Sequence, residues 1–495
     1  MAAGLQHGAR GLLRQAGNAS QKTAHRRCSR LDSHGDSMQA QAKSRGKGLR
    51  RSRGWRTVVP LVALMVAPAG VALAQGAGQP AAVAESEVMQ GFPPPPDKQV
   101  SRGTGLRPPY MRWAFRHARE MSPTVGIRHA SRPLALPGQS APELDAVGFT
   151  VAGQTVRVAD YLRDTHTDGF IVLHQGRIVY ERYLAGFDPH QPHIWASMTK
   201  SVTGLLAAML VEEGRLDPQA RLAQYVPELA GNPFGEATVQ QNLDMEVPVG
   251  YPQALPPDLG LFGAVGIVPR KADAPDTIYD FLKVVHATGS AGEGPDGGVW
   301  YYQNGSPEAV AWALRRITGK RWADLVTERL WSRFADDDAY TQVDRQGTEM
   351  ASGGMNSTLR DAARFAETVR RAAAGDATVG ISPKAVRIAL QPASNQARFA
   401  RGNTTAGRDG YGYRNYWFQR NDGDGSIEAS GRFGQRIYIN PARELTVVKF
   451  SASPDGAARA TSAAAVRKRD DPARALESSE AMVAAAHALL RAGSR

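Results

Sequence analysis

The sequence predicts a mixed α/β (α+β) fold: an antiparallel sheet built from both ends of the chain and flanked by helices, with a mostly helical lobe inserted between. Three observations lead there. Strand-like runs occur early, at Phe170 to Leu173 and Ile178 to Tyr183, and again late, at Tyr411 to Gln419, Gln435 to Ile439 and Leu445 to Ser451. Between them the apolar residues recur with helical spacing. The 495 residues exceed what one hydrophobic core serves, so at least two packed regions are expected, and 42% hydrophobic against 22% charged residues places the chain among globular proteins.

Residues 1–74 read as a basic leader with a signal peptide. Arg50-Arg51-Ser52-Arg53-Gly54-Trp55-Arg56 precedes an apolar run from Thr57 to Ala74 that ends in Ala72-Leu73-Ala74. The run has 18 residues and is broken by Pro60 and Pro68. That is barely long enough to span a bilayer, so cleavage near Ala74 is expected and no membrane span after it. The n-region is long; a start at Met38 gives a conventional one. The pair Arg50-Arg51 lacks a twin-arginine context. This leader holds 13 Lys and Arg against Asp32 and Asp36, so +11 of the net +13 belongs to it. The remainder is nearly neutral, which argues against a nucleic-acid partner. Cys28, the only cysteine, also falls in the leader and outside a lipobox position. The mature chain therefore has no disulfide and no cysteine nucleophile, and a periplasmic or secreted location is expected.

Residues 75–105, rich in Ala, Gly, Gln and Pro, read as an extended linker. The domain proper is placed at 106–495, with a sheet subdomain at about 106–215 and 375–495 and the helical lobe at about 216–374. Its first hairpin turns at His174-Gln175-Gly176-Arg177. A helix follows from Ser197, with Val202, Leu205, Leu206, Met209 and Leu210 as its stripe and Gly214 as its stop. Residues 215–290 are broken by Pro and Gly. A helical pair spans 306–334, a helix capped by Thr358 runs from Leu359 to Ala373, and a last helix runs from Pro472 to Leu490.

The chemistry concentrates at Ser197-Met198-Thr199-Lys200. Residues three apart on a helix share a face, so the Lys200 amine can reach the Ser197 hydroxyl and take its proton, while the helix start supplies N–H groups and positive dipole. S-x-x-K occurs by chance roughly once in a chain of this length. Ser44 to Lys47 also matches, but stands in a polar, basic stretch with no helical pattern. A second element is Tyr302-Gln303-Asn304, at a loop-to-helix junction, where a tyrosine can pass a proton to a leaving group. Tyr413-Arg414-Asn415 and Tyr438-Ile439-Asn440 match too, within strand-like runs.

The order of S-x-x-K, Y-x-N and then Gly431-Arg432-Phe433-Gly434-Gln435 before a strand resembles the serine β-lactamase and penicillin-binding-protein superfamily. More narrowly it is similar to the class C-like branch with 6-aminohexanoate-dimer hydrolases and related esterases. Arg112-Trp113-Ala114-Phe115, Leu243-Asp244-Met245, Val343-Asp344-Arg345-Gln346-Gly347 and Leu359 to Phe365 extend the likeness over roughly 107–492. The resemblance implies a β-lactamase-like fold and an acyl-enzyme on Ser197. It implies Lys200 as base partner, Tyr302 as proton shuttle and Asn304 orienting substrate or Lys200. The oxyanion hole falls to the N–H groups of Ser197 and Arg432 beside Gly431. Whether Lys200 or Tyr302 deprotonates the serine stays open.

Where the third motif of that superfamily reads Lys-Thr-Gly, this chain has Ala429-Ser430-Gly431, which removes the cation that holds a substrate carboxylate. Arg432 stands next to it as a replacement. Glu246 to Arg270 departs from the branch where the substrate loop belongs. No G-x-S-x-G elbow or H-E-x-x-H occurs. His190 and His193 read as loop polarity, and Asp336-Asp337-Asp338 and Asp422 to Gly425 as solvated turns, because each lacks the remaining metal ligands. The expectation is a serine hydrolase with no cofactor and no metal, acting on a small-molecule amide or ester. Its rivals are a β-lactamase or D-alanyl carboxypeptidase and a non-catalytic binder of cell-wall fragments; the oligomeric state is open.

Overall fold

The computed structural model describes residues 83–252, 257–289, 298–403, 407–454 and 475–493. All of the described residues fall in one compact unit, within Gly78–Arg495. The leader and signal-peptide assignment lies outside the described residues.

The early hairpin forms from β1 (Thr167–His174) and β2 (Arg177–Tyr183), turning through Gln175 and Gly176, which both adopt positive φ of 51° and 72°. Two left-handed residues in succession match the twist of the flanking strands, and only the second is the glycine that takes this conformation freely. The late strands are β3 (Gly412–Arg414), β4 (Trp417–Gln419), β5 (Ile427–Gly431), β6 (Gln435–Asn440) and β7 (Leu445–Ser451). Seven strands form one antiparallel sheet in the order β3-β4-β5-β6-β7-β1-β2. The pairing of β7 with β1, Val448 opposite Ile171, joins the two ends of the chain.

Side chains of β1 alternate between two cores, as the period of a strand requires. Phe170 and Val172 pack with Tyr180, Tyr438, Val447 and the terminal helix, whereas Ile171 and Leu173 join Ile437, Val448 and the large cluster under the helical lobe. Burial on both faces explains why β1 reads as a continuous apolar run.

Among the helices, those that frame the site and the sheet are α1 (Thr199–Glu212), α2 (Gly305–Thr318), α3 (Trp322–Arg329), α4 (Leu359–Ala373) and α5 (Ser479–Gly493). For α4 the sequence and the structure agree, including the Thr358 hydroxyl that accepts from the Asp361 N–H. Three elements differ from expectation. The helix read from Ser197 opens with a 3-10 turn, Ala196–Met198, before α1 begins. Tyr411 to Gln419 is not one strand but a hairpin, because Asn415 and Tyr416 take φ of 47° and 65° and are tied by their N–H groups to Asp244 Oδ1 and the Leu243 carbonyl. The terminal helix starts at Ser479, and the earlier start at Pro472 lies outside the described residues.

Two features were not read from the sequence. Strands Ala339–Gln342 and Met355–Ser357 lie within the span assigned to the helical lobe and form a second sheet with Thr124–Ile127 and His193–Ile194. Each is too short to show a period, and each owes its extended form to a partner distant in sequence. Residues 83–105, read as an extended linker, contain two short 3-10 turns, bury Val88, and hold Glu85 against Arg112 Nε at 2.9 Å. Among the described residues no helix is long and apolar enough to cross a membrane.

Candidate active site

Ser197 stands on a turn clamped from both sides. Trp195 and Met198 are fully buried hooks. The Trp195 N–H donates to the Met355 carbonyl at 2.9 Å, and its indole Nε1 donates to Ser357 Oγ at 2.8 Å. Ala196, immediately before the serine, is held at φ 46°, a conformation costing a non-glycine residue on the order of 1 kcal/mol that persists only where the surroundings impose it. The result is a half-buried Ser197 presented at the start of α1.

Lys200, fully buried one turn on, points its amine back at the serine: Nζ donates to Ser197 Oγ at 2.9 Å, to Asn304 Oδ1 at 2.6 Å and to the Ser352 carbonyl at 2.8 Å. Asn304 is the residue preceding α2. Tyr302 lies just ahead of it, its N–H donating to Asn403 Oδ1 at 2.8 Å while the Asn403 amide returns a bond to the Tyr302 carbonyl at 3.0 Å. The Tyr301 N–H donates to the Met245 carbonyl at 2.7 Å, which anchors the same segment to the helical lobe. The Tyr302 ring packs against Trp300 and Tyr413, and Lys200 Nζ sits 5.0 Å from its centroid. Burial pushes the Tyr302 phenol up to about 12, against the pull of a hydrogen bond with Ser197 and of the nearby Arg408 and Arg432 guanidiniums. The phenol is therefore neutral at ordinary pH and has a proton to give.

The end of β5 closes the site. Gly431 is so close to the serine turn that a Cβ there would meet the Trp195 carbonyl oxygen at 2.5 Å and Ala196 Cβ at 3.1 Å. Arg432 follows, half-buried, its pKa lowered by burial and pulled back up by Tyr302. Phe433 then turns the chain at φ 65° and packs its ring on Phe115, 4.8 Å between centroids. Left-handed non-glycine residues thus flank the site on both sides, at Ala196 and Phe433.

The structure brings Ser197, Lys200, Tyr302 and Asn304 together, with Gly431 against the serine turn and Arg432 beside Tyr302. The rival tyrosines do not join them. Tyr413 packs behind Tyr302, and Tyr438 lies in the other core. Sequence reasoning missed Ser352, Asn403, Arg408, Arg436 and Glu308. Ser352 contributes a backbone carbonyl, which no residue type announces, and Asn403 stands a hundred residues from the tyrosine it holds. Strand β5 itself carries no cation, as read from Ala429. Arg408 Nη2 donates to Ser430 Oγ at 3.1 Å, and Arg436, opposite Ser430 on β6, donates to the same hydroxyl. Two arginines from other segments thus meet at the hydroxyl next to Ala429.

The reading of His193 is corrected. It is buried, with Nε2 2.9 Å from Asp168 Oδ2, and Asp168 also receives Arg112 and Arg116. This cluster ties the segment before the first strand to the strand that leads into Ser197. His190 faces Asp337 on the surface at 3.2 Å.

Comparison with known proteins bears on the family. The Beta-lactamase family model matches residues 156–470. A 6-aminohexanoate-dimer hydrolase of Paenarthrobacter ureafaciens is 30% identical over 352 residues, covering 70% of this chain and 86% of its own length. A solved Bacillus anthracis structure described as a candidate 6-aminohexanoate-dimer hydrolase is 31% identical, with a TM-score of 0.67 over 79% of this chain and 97% of that one.

Proposed function

The chain belongs to the β-lactamase family and is a hydrolase, and from that premise we propose that it is an exported serine hydrolase cleaving short linear amides or esters through an acyl-enzyme on Ser197. The observation that carries this reading is the Lys200 amine, 2.9 Å from Ser197 Oγ and with two further acceptors, Asn304 Oδ1 and the Ser352 carbonyl.

A neutral lysine amine has two N–H groups and one lone pair. The three donations from Nζ, to Ser197, Asn304 and Ser352, are those of the ammonium; in the basic form two N–H groups stay on Asn304 and Ser352 and the lone pair takes the place of the third, facing the Ser197 hydroxyl. Ser197 Oγ attacks the substrate carbonyl as its proton passes to Lys200 Nζ. The negative charge developing on the carbonyl oxygen is met by the N–H groups of Ser197 and Arg432, which Gly431 allows to approach each other. Collapse breaks the bond to the leaving amine or alkoxide, which takes a proton from the Tyr302 phenol, and Lys200 returns one to Tyr302. Water then attacks the acyl carbon as its proton passes to Lys200 Nζ, and the bond to Ser197 Oγ breaks as Oγ takes that proton back, releasing the acid. The neutral Tyr302 supports its assignment as donor and Lys200 as base.

Arg408 and Arg436 on Ser430 favour substrates with a carboxylate near the scissile bond. That feature matches a D-alanyl carboxypeptidase or β-lactamase and keeps that reading as the second; the 6-aminohexanoate dimer, whose carboxylate lies a pentamethylene chain away from the scissile nitrogen, is proposed from the 30% identical relative. A fluorophosphonate probe tests the nucleophile: label that depends on Ser197 is expected, and equal label on Ser197→Ala refutes the mechanism. No label on either protein favours the non-catalytic binder. Rates on a nitrophenyl ester, the 6-aminohexanoate dimer and a chromogenic cephalosporin then order the substrates. Ester turnover, slower amide turnover and negligible cephalosporin turnover are expected. Export is tested by sequencing the N-terminus of the mature protein, expected near Gln75.

A further inference from the structure

Resting on the acyl-enzyme reading above, we infer that Glu308 is a positioning residue of this reaction: its carboxylate fixes the Ala351-Ser352 turn, whose carbonyl oxygen aims Lys200 at Ser197. Nothing in the motif pattern assigns Glu308 a part.

Glu308 lies on α2, four residues after Asn304, and residues at that spacing share a helix face. The face is turned toward α1, so one helix supplies both controls on the lysine. Asn304 Oδ1 accepts from Lys200 Nζ directly. Glu308 acts one step removed: its two oxygens accept the N–H groups of Ala351 and Ser352 at 3.1 and 2.8 Å, and the Ser352 carbonyl accepts from Lys200 Nζ at 2.8 Å. On its other side the turn is pinned by Thr203 Oγ1, which donates to the Ala351 carbonyl at 2.9 Å and itself accepts from the Trp322 indole at 3.1 Å.

Glu308 is 0% exposed, and burial raises its carboxyl above the usual range. A buried carboxylate bound to two peptide N–H groups is a costly way to hold a turn that apolar packing could support. It earns its place by holding one carbonyl in register. If the turn moves, Lys200 loses the Ser352 carbonyl as a fixed acceptor, its amine rotates, and the lone pair no longer faces Ser197.

The test compares Glu308→Met, which fills the volume without an acceptor, and Glu308→Gln, which keeps one acceptor oxygen. The single-turnover acylation rate constant and the substrate dissociation constant Ks on a nitrophenyl ester are measured in the full-length protein together with thermal unfolding. The Met variant is expected to lower the acylation rate constant about tenfold or more with Ks nearly unchanged, and the Gln variant to recover part of the loss. Should Glu308→Met fail to fold, Glu308→Gln decides alone, with a several-fold loss in acylation rate constant at unchanged Ks expected. Wild-type acylation in a folded variant, or a loss confined to Ks, overturns the inference. The Ser197→Ala protein run alongside separates the two levels: if it retains turnover, the acyl-enzyme reading fails irrespective of Glu308.

Discussion

The Cα of Gly431 faces the carbonyl oxygen of Trp195 so closely that the smallest side chain, a single Cβ, would meet it at 2.5 Å. The oxygen belongs to backbone and cannot swing away, and Gln435 Cβ and Ala196 Cβ close the other sides at 2.9 and 3.1 Å. Gly431→Ala therefore forces the end of β5 away from the serine turn. A displacement of this kind separates the N–H groups of Ser197 and Arg432. The expected result is a kcat loss of about a hundredfold on a nitrophenyl ester with roughly 1–3 kcal/mol of destabilisation. Retention of wild-type kcat shows that the two backbone segments do not act as one oxyanion site.

Tyr302→Phe separates proton donation from packing. The ring keeps its place against Trp300 and Tyr413, so stability changes little. A nitrophenolate leaves without protonation, whereas an amine does not. The variant is therefore expected to lose about 10²- to 10⁴-fold on the 6-aminohexanoate dimer but far less on a nitrophenyl ester. Equal losses on both substrates assign Tyr302 to deprotonation of Ser197 instead.

Gly204 sets the distance between α1 and the β3–β4 hairpin. A Cβ there would meet the Asn415 carbonyl oxygen at 2.0 Å, and the neighbouring Ser201 Oγ donates to the Tyr416 carbonyl at 2.8 Å. In an isolated helix Gly→Ala stabilises by about 1 kcal/mol. Here the clash reverses the sign, and Gly204→Ala is expected to destabilise by about 1–3 kcal/mol in denaturant unfolding. A stabilised variant shows that the hairpin can retreat without cost.

What the sequence revealed depended on how local its cause was. The β1–β2 hairpin and α4 were legible because turn residues, a Thr358 cap and apolar spacing lie within a few positions of one another. Ser197 and Lys200 were legible because a helix turn alone brings them together. The strand at Met355–Ser357 was not, since it owes its form to His193–Ile194 and Ala339–Gln342. The Asn403 amide, the Ser352 carbonyl and the two arginines on Ser430 likewise converge only after folding. The left-handed Ala196 and Phe433 carry no residue-type signal at all, because tertiary contacts impose φ values that neither residue prefers.

Lys449 offers a prediction in which pH decides the outcome. Its ammonium is buried beneath β7, where Nζ donates to the Thr165 carbonyl at 3.2 Å, an oxygen that also accepts from Ser451 Oγ at 2.6 Å. Burial lowers the lysine from 10.5 to about 8. Between those values the folded chain binds fewer protons than the unfolded one, so this group's contribution to stability rises as pH climbs from about 8 to 10.5. Below pH 8 the charged form is penalised by up to about 3 kcal/mol. Lys449→Met removes the charge and leaves the Thr165 carbonyl satisfied by Ser451. The variant is expected to be more stable than the parent at pH 7 by roughly 1–3 kcal/mol, with the advantage fading toward pH 10.5. Denaturant unfolding at both pH values measures it, and an advantage that grows with pH contradicts a buried, depressed lysine.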